Sequence, residues 1–209
     1  MTSLYADEVF HLKAPFTAIL AGPTMSGKTI WTLKLIENMR TLIRPTPLRV
    51  IWCRGIKTES NLPSWITVIE GLPDNFEAIP TDSLLILDDL QEECGKSREV
   101  SNLYMRYAHH RRISVLSLQQ NLFASKSRTQ RVNSTYIVLL RNPSDKKQIS
   151  TLSQQIFPQH KNFLSQVMSD ACKEPFQYFL LDLHAKTPDH LRVVTHIFPD
   201  DGPSIYYLP

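Results

Sequence analysis

The chain has 209 residues, of which 42% are hydrophobic and 21% are charged, and its formal net charge at pH 7 is +3. This length suits one domain with a real core, and the charge of the whole chain is too small to indicate a nucleic-acid binder. No apolar run approaches the roughly 20 residues of a membrane span, and residues 1–16 lack the apolar stretch of a signal peptide.

Positive charge is concentrated in one part of the chain. Residues 106–147 hold nine Lys and Arg residues against one acid, Asp145, so this segment carries +8 and the remainder carries −5 of the total of +3. Such an asymmetry favours a polyanionic partner, with a solvated basic face as the alternative. The three cysteines, Cys53, Cys94 and Cys172, are far apart, so we expect reduced thiols in an intracellular protein.

Short apolar runs alternate along the chain with polar segments of helical length. They predict strands at residues 16–22, 48–53, 65–71, 83–90, 113–121, 134–142, 176–184 and 191–199. Helices are predicted over residues 28–43, 97–112, 145–157 and 161–173. Strands that are apolar throughout are buried on both faces, which indicates an α/β fold with a mostly parallel sheet and a late hairpin at its far edge. Residues 200–209 either dock a neighbouring molecule or fray.

The first predicted strand and the first predicted helix flank a phosphate-binding motif. The pattern G-x-x-x-x-G-K-[ST] is matched by Gly22, Pro23, Thr24, Met25, Ser26, Gly27, Lys28 and Thr29. The glycines let the backbone approach phosphate oxygens, and the loop N–H groups converge on the anion at the positive end of the helix. Lys28 is expected to reach the β- and γ-phosphates of ATP, and Thr29 to offer its hydroxyl to Mg²⁺. An ordinary glycine turn is the alternative.

Two carboxylates end the predicted strand at residues 83–90. Asp88 is expected to hold Mg²⁺ from the side opposite Thr29, and Asp89 stands where a water-activating carboxylate would lie. Glu92 and Glu93 follow closely and compete with Asp89 for the role of base. The alternative is that the paired aspartates only end the strand and cap the next segment.

The strand at residues 113–121 ends in a polar sensor for the γ-phosphate. Gln119 and Gln120 both stand at this end, and we prefer Gln120 because it is the last residue of the apolar alternation. About 60 residues and at least one strand separate the phosphate loop from Asp88, a spacing found in P-loop proteins that carry an additional strand between the two motifs. The alternative is that Gln119 and Gln120 are only strand-end amides, whose side chains hydrogen-bond the backbone of a loop.

The order of these motifs resembles the FtsK–HerA group of ring-forming DNA-translocating ATPases. The segments HHRRISVLSLQQNLF and RTQRVNSTYIVLLRNPSDKKQI look most like genome-packaging ATPases of the poxvirus type, of double-jelly-roll DNA viruses, and of Polinton/Maverick-like and adintovirus-like elements. The resemblance covers nearly the whole chain. It implies an additional-strand, RecA/FtsK-like P-loop NTPase fold, with a single ATPase domain over residues 1–209 and its core at about residues 15–200.

This resemblance also implies an activity and a set of partners. Lys28 and Thr29 would belong to Walker A, Asp88 and Asp89 to Walker B, and Gln120 would be the sensor; a glutamate is commoner in the group at the position of Asp89. ATP and Mg²⁺ would be the cofactors, and ATP hydrolysis would drive double-stranded DNA into a capsid. The partners would be further copies in a hexameric or pentameric ring and viral capsid or portal-vertex proteins, in the nucleus or cytoplasm of an infected cell or on the virion.

A ring of this kind completes each site with an arginine from the neighbouring subunit. Arg111 and Arg112 are the first candidates because they lie between a predicted helix and the sensor strand. Arg128, Arg131 and Arg141 are rivals, and any of the five could instead grip DNA phosphates or lie idle on the surface.

Three other functions compete with the packaging motor. The loop GPTMSGKT also looks like that of thymidine kinases, so a small nucleoside or nucleotide kinase is the main alternative, although the zinc-binding cysteine cluster of such kinases is missing from the sequence. A DNA-binding or capsid-associated protein that no longer hydrolyses ATP is another. A replicative helicase is a fourth possibility within the ATPase class.

Overall fold

The structure, a computed structural model, describes residues 2–6, 10–55, 62–124, 128–143 and 146–209. Twelve strands form among these described residues, in chain order: β1 Thr2–Ala6, β2 Leu12–Lys13, β3 Thr17–Ala21, β4 Ile43–Arg44, β5 Arg49–Arg54, β6 Thr67–Glu70, β7 Ser83–Asp88, β8 Ser114–Gln119, β9 Tyr136–Leu140, β10 Tyr178–Asp182, β11 Val193–Thr195 and β12 Ser204–Leu208. Ten of them form one sheet, and β2 and β4 pair separately.

The order of the large sheet is β1-β12-β11-β10-β9-β3-β8-β7-β5-β6. The strands from β9 to β6 in this order are parallel, whereas β10, β11, β12 and β1 pair antiparallel. Strand β8 lies between β3 and β7, as predicted for an additional-strand P-loop NTPase. The predicted α/β class with a mostly parallel sheet is confirmed. Because the parallel strands share one direction, the polar residues after β3, β7 and β8 lie together at the carboxyl ends of these strands.

Helical segments connect the strands and cover both faces. They are α1 Lys28–Glu37, α2 Met39–Leu42, α3 Gln91–Lys96, α4 Arg98–Asn102, a π-helical turn Leu103–Tyr107, α5 Ala108–His110, α6 Arg128–Val132, α7 Lys146–Ile156 and α8 Phe163–Ala171. The single helix predicted over residues 28–43 breaks at Asn38, whose side-chain amide donates to the Lys34 carbonyl at 2.9 Å. The short segments α3 and α6 lack a full apolar period and escaped prediction.

Alternating side chains of the central strands enter apolar clusters on opposite faces of the sheet. Ala18 and Leu20 belong to the cluster packed under α1, and Ile19 and Ala21 belong to the cluster packed under α7 and α8. A third cluster lies under α3, α4 and α5. All five residues of β3 are buried, which explains why this strand reads as a continuous apolar run.

The two ends of the described chain meet at the antiparallel side of the sheet. Strand β12 lies between β11 and β1, so the last residues extend the sheet rather than fray. The predicted late hairpin exists as β10 and β11, but β12 and β1 lie beyond it and take the edge position. Among the described residues, no helix combines the length and the apolar character needed to cross a membrane.

Candidate nucleotide site

The predicted phosphate loop connects β3 to α1 at the carboxyl edge of the parallel strands. Gly22 donates its backbone N–H to the Gln119 carbonyl at 3.1 Å, which ties the start of the loop to the end of β8. Gly27 caps α1 with a φ of 98°, a left-handed conformation that favours glycine. The ten-residue helix therefore begins directly at Lys28 and points its free N–H groups into the loop.

The loop has the close packing that an anion cradle requires. A Cβ atom at Gly22 would lie 2.6 Å from the Ser26 Oγ, and a Cβ atom at Gly27 would lie 2.8 Å from the Phe176 Cδ1. The Ser26 Oγ is itself buried and has no hydrogen-bond partner among the described residues. A buried hydroxyl without a partner, inside a ring of backbone N–H groups, fits a phosphate oxygen.

Lys28 lies within the loop and binds its backbone. The Nζ donates to the carbonyls of Gly22 and Pro23, each at 2.8 Å. Burial lowers the pKa of Lys28, and the nearby carboxylates of Asp88 and Asp89 partly oppose this shift. The ammonium group therefore sits between the loop and the carboxylates, where it can exchange loop carbonyls for phosphate oxygens.

Asp88 ends β7 beside this ammonium. The Trp52 Nε1 donates to the Asp88 Oδ2 at 3.2 Å and holds the carboxylate in place. Burial raises the pKa of Asp88; the Trp52 hydrogen bond and Lys28 lower it, while Asp89 raises it. A half-buried carboxylate opposite a threonine hydroxyl is an oxygen donor set that suits Mg²⁺, which takes one or two carboxylates together with phosphates.

The residues in this region fit a magnesium ion bound jointly with a nucleotide. No group of three or more His, Cys, Asp or Glu side chains with metal-site geometry occurs in the part of the chain that the structure describes. Thr29 and Asp88 line the same cavity and supply the hydroxyl and the carboxylate. Such a pair needs phosphate oxygens and water to complete six ligands, as Mg²⁺ sites of nucleotide enzymes do.

Asp89 follows in a left-handed conformation, with a φ of 54°. Gly55 packs directly against its backbone, since a Cβ atom at Gly55 would lie 2.5 Å from the Asp89 carbonyl oxygen. The Gln120 Nε2 donates to the Asp89 Oδ1 at 3.4 Å. Asp89 and Gln120 are thus direct hydrogen-bond partners in the wall of the cavity, so a base and an amide lie side by side there.

The two glutamines after β8 have different surroundings. Gln119 is 1% exposed, and its Nε2 donates to the Gln130 Oε1 at 2.6 Å and to the Ser117 Oγ at 3.3 Å. Gln120 is exposed and lines the cavity with Asp89. The geometry favours the predicted choice of Gln120, because Gln119 is engaged in the protein interior.

The main candidate residues line one cavity of about 520 Å³. Lys28, Thr29, Asp88, Asp89 and Gln120 all contribute to its wall. Glu92 and Glu93, the rival bases, do not line this cavity but a neighbouring one, which Asp89 and Gln120 also line, and the side chain of Glu92 is 84% exposed and pairs with Lys96. The geometry therefore favours Asp89 among the three acids.

Sequence reasoning missed several residues of this site. Arg54, the last residue of β5, lies opposite Asp88 in the β5–β7 pairing and lines the cavity. Trp52, Gly55 and Phe176 also border the site or its carboxylates. Their position follows from strand register and from a loop near the end of the chain, and no local motif marks them.

Arg111 and Arg112 lie at the amino ends of the parallel strands, opposite the carboxyl ends where the phosphate loop lies. Both precede β8, and a six-residue strand separates them from the phosphate loop by about 20 Å. The Arg111 guanidinium donates to the carbonyls of Phe76 and Ile79 at 3.0 and 2.9 Å. Arg112 pairs with Asp82 at 2.7 Å and keeps 65% of its side chain exposed.

The described part of the basic segment is spread over separate places in the fold. Arg131 packs over the Phe123 ring at 4.3 Å and donates to the Gln155 Oε1 at 2.9 Å. Arg141 follows β9 at the carboxyl edge and donates to the Lys173 carbonyl at 2.7 Å. Among the described basic residues, Arg111 and Arg112 therefore lie at the amino end of β8 and Arg141 lies at the carboxyl end of β9, whereas Lys126 lies outside the described residues.

Substitution of Asp88 tests whether its buried charge lowers the free energy of unfolding of the protein. Because the folded protein raises the pKa of Asp88 above its value in the unfolded chain, the charged form opposes folding, and stability rises as the pH falls toward the raised pKa. We expect Asp88→Asn, measured without nucleotide and Mg²⁺ at pH 8, to stabilise the fold by about 1 kcal/mol, or about 2–4 °C in Tm.

The control for this measurement is Asp74→Asn in an exposed loop, which should leave Tm unchanged. Protonation removes the cost of the wild-type carboxylate, so the difference between wild type and Asp88→Asn should shrink as the pH is lowered from 8 toward the raised pKa of Asp88. A Tm for Asp88→Asn below that of the wild type at pH 8 would contradict this account.

Solved structures share this fold. No protein-family model matches the chain, and no curated protein matches it either. The genome-packaging NTPase B204 from Sulfolobus turreted icosahedral virus 2, in complex with ATP-γ-S, superposes with a TM-score of 0.59 at 11% identity over 82% of this chain and 94% of that chain.

Two further solved structures are similar to this chain in fold. The sulfate complex of the same NTPase has a TM-score of 0.56 at 12% identity, over 82% of this chain and 93% of that chain. B204, the DNA-packaging ATPase from Sulfolobus turreted icosahedral virus, has a TM-score of 0.56 at 12% identity, over 84% and 96%. This chain therefore has the P-loop NTPase fold of these viral packaging proteins.

Proposed function

We propose that this protein is an ATPase whose hydrolysis of ATP drives double-stranded DNA into a viral capsid. The observation that carries the proposal is the meeting of Lys28, Thr29, Asp88, Asp89 and Gln120 in one cavity at the edge of an additional-strand sheet. The structural neighbours add support, since they are viral genome-packaging NTPases and one is solved with an ATP analogue.

The chemistry proposed for the site follows from its contacts. The N–H groups of the phosphate loop and Lys28 bind the β- and γ-phosphates, with Lys28 releasing the carbonyls of Gly22 and Pro23. Thr29 and Asp88 would hold Mg²⁺, which neutralises charge on the phosphates when bound. Water adds to the γ-phosphorus and its proton passes to the Asp89 carboxylate, while the bond from the γ-phosphorus to the β,γ-bridging oxygen breaks and ADP leaves with that oxygen and its electron pair.

Gln120 is proposed to orient the attacking water. Its amide donates directly to the Asp89 carboxylate at 3.4 Å, which leaves no room for water between the two atoms. A water molecule bound to both side chains would replace this hydrogen bond and would meet a proton acceptor and a hydrogen-bonding amide. Positioning of this kind accounts for much of the rate of phosphoryl transfer, because the protein supplies little covalent chemistry.

We further propose that copies of the chain form a hexameric or pentameric ring and that Arg112 acts in a neighbour's site. Arg112 lies too far from its own phosphate loop to act there, and its side chain is mostly exposed. Arg111 is a weaker candidate because two backbone carbonyls bind its guanidinium. The proposed unit is a single ATPase domain over residues 1–209, with capsid or portal-vertex proteins as further partners in an infected cell or on the virion.

The first experiment measures steady-state phosphate release from ATP, with and without linear double-stranded DNA. We expect DNA to increase turnover and an added nucleoside to leave it unchanged. Turnover that requires a nucleoside acceptor would favour the kinase alternative and contradict the motor. ATP binding without turnover, unchanged by DNA, would indicate a protein that no longer hydrolyses ATP, and strand displacement would indicate a helicase.

A mixing experiment tests the proposed arginine in trans. Arg112→Ala and Lys28→Ala should each be inactive alone. Mixed in equal amounts, they should recover part of the DNA-stimulated activity, because a Lys28→Ala subunit can donate its Arg112 to the intact phosphate loop of its neighbour. Absence of recovery in a mixture that assembles to the wild-type size would contradict the role of Arg112.

A further inference from the structure

Gln119, the last residue of β8, connects three parts of the fold. Its backbone carbonyl accepts the Gly22 N–H at 3.1 Å, at the start of the phosphate loop. Its side-chain amide binds two further glutamines, Gln91 at the start of α3 and Gln130 in α6. The proposed sensor, Gln120, is the next residue of the chain. A displacement of Gln119 would therefore shift the sensor and the start of the phosphate loop together.

The contact with α3 begins close to the carboxylates. Gln91 lies two residues after Asp89 in the chain. Its Nε2 donates to the Asn121 carbonyl at 2.6 Å and to the Gln119 Oε1 at 3.4 Å. The segment that carries the proposed base is thus hydrogen-bonded to the end of the strand that carries the proposed sensor.

The contact with α6 lies in the protein interior. Gln119 is 1% exposed and Gln130 is 2% exposed, and the Gln119 Nε2 donates to the Gln130 Oε1 at 2.6 Å. The Gln130 backbone carbonyl accepts from the Ser134 Oγ at 2.8 Å. A buried amide that loses its partner is costly, so these hydrogen bonds hold α6 in one position relative to the end of β8.

Helix α6 is also bound to α7. The Arg131 guanidinium of α6 donates to the Gln155 Oε1 of α7 at 2.9 Å. The chain before α6 is held in the same way, because the Leu122 N–H donates to the Gln148 Oε1 of α7 at 3.1 Å. The loop after β8, α6 and α7 are therefore connected by side-chain hydrogen bonds to the network of Gln91, Gln119 and Gln130.

The chain around α6 and the start of α7 is strongly basic. Residues 119–157 contain six Lys and Arg residues and one acid, Asp145, which gives 6 − 1 = +5. Of the basic residues, Arg128, Lys146 and Lys147 are exposed in the structure. Exposed cations of this density suit the phosphates of DNA, which is the polyanion of the proposed function.

We propose that the network of Gln91, Gln119 and Gln130 couples DNA contact on α6 and α7 to the nucleotide site. DNA phosphates bind the basic residues and bias the position of α6, and Gln130 transmits that position to Gln119. Gln119 then biases the phosphate loop through Gly22 and α3 through Gln91. The three glutamines are positioning residues, since they act through other groups. This inference rests on the proposed function, because it assumes that the chain hydrolyses ATP and binds DNA.

The test breaks each contact separately and measures both ends. Gln130→Met and Gln91→Met keep an unbranched side chain of similar length and lose the amide. Each variant should keep turnover without DNA within about threefold of the wild type, while the stimulation by linear double-stranded DNA falls about fivefold. The affinity for that DNA should stay unchanged. Arg128→Ala should instead weaken DNA binding, because it removes a cation that meets the phosphates.

A second readout uses the reciprocity of coupled binding. β,γ-Methylene ATP with Mg²⁺ should change the DNA affinity of the wild type and leave that of Gln130→Met and Gln91→Met unaltered. Gln154→Met is the matched control, because Gln154 is exposed on α7 and contacts only Ser150 of its own helix among the hydrogen bonds of the described residues. It should behave as the wild type in both measurements. Gln91 is half-buried, so its variant decides the test if Gln130→Met does not fold.

The outcomes separate this inference from the proposed function. Wild-type stimulation in the folded variants would overturn the coupling and leave the motor standing. Equal losses of turnover with and without DNA would show a purely structural role for the glutamines and would also overturn it. A wild-type protein whose turnover does not respond to DNA would contradict the proposed function and the coupling with it.

Discussion

Lys28→Ala is expected to lower ATP turnover about 100-fold or more. The ammonium group is the one cation of the phosphate loop itself, and it lies between the loop carbonyls and the carboxylates of Asp88 and Asp89. A preorganised cation that meets developing charge on the transferred phosphoryl group lowers the activation barrier by several kcal/mol, as the rate loss on removal of single oxyanion donors shows. The measurement is steady-state phosphate release at saturating DNA and Mg²⁺.

A matched control uses another lysine of the chain. Lys186 is exposed in the loop after β10, and Lys186→Ala should retain wild-type turnover and Tm. If Lys28→Ala kept more than about a tenth of the wild-type rate while remaining folded, the cavity at the phosphate loop would not be the site of hydrolysis.

Asp89→Asn is expected to lower turnover by a similar factor of about 100 or more while ATP binding persists. The Asp89 carboxylate accepts from the Gln120 amide at 3.4 Å in the cavity. The backbone of Asp89 packs closely against Gly55, which fixes the position of the residue. An amide at this position retains the shape but cannot accept a proton from water. Turnover and ATP affinity measured on the same preparation separate loss of the base from loss of the site.

Glu92→Gln and Glu93→Gln are the controls for this prediction. Both acids lie in α3, and neither lines the phosphate cavity. Each variant should keep turnover within about twofold of the wild type, since exposed surface groups contribute little. Loss of turnover in either glutamate variant, with Asp89→Asn active, would transfer the role of base to that glutamate.

The phosphate loop and the carboxylates were predictable because their chemistry is local. A cradle of N–H groups needs its glycines and its lysine within eight consecutive residues, and a carboxylate at the edge of a parallel sheet must directly follow an apolar strand. Apolar runs long enough to be buried on both faces also determined the α/β class. The structure confirms the mostly parallel sheet, whereas the full order of the strands, with β8 between β3 and β7, is known from the structure alone.

Other features depend on residues that are remote in sequence. Trp52 holds Asp88 across 36 positions, and Phe176 covers Gly27 from the loop before β10. No local sequence pattern predicts such contacts, because they form only when the strands have paired in register and the loops have packed against them. The local strand pattern already favoured Gln120 over Gln119, and the remote contact of Gln119 with the amide of Gln130 in α6 adds the structural reason.

The sequence by itself determined the α/β class, and it predicted the phosphate loop and the pair of carboxylates, because each of these is encoded by neighbouring residues. Only the tertiary structure decided where the arginines lie and how the last residues extend the sheet as β12. It alone brought Gln91, Gln119 and Gln130 into one hydrogen-bonded network. The reason is physical: packing between distant segments minimises exposed apolar surface over the whole chain, and no short segment contains that information.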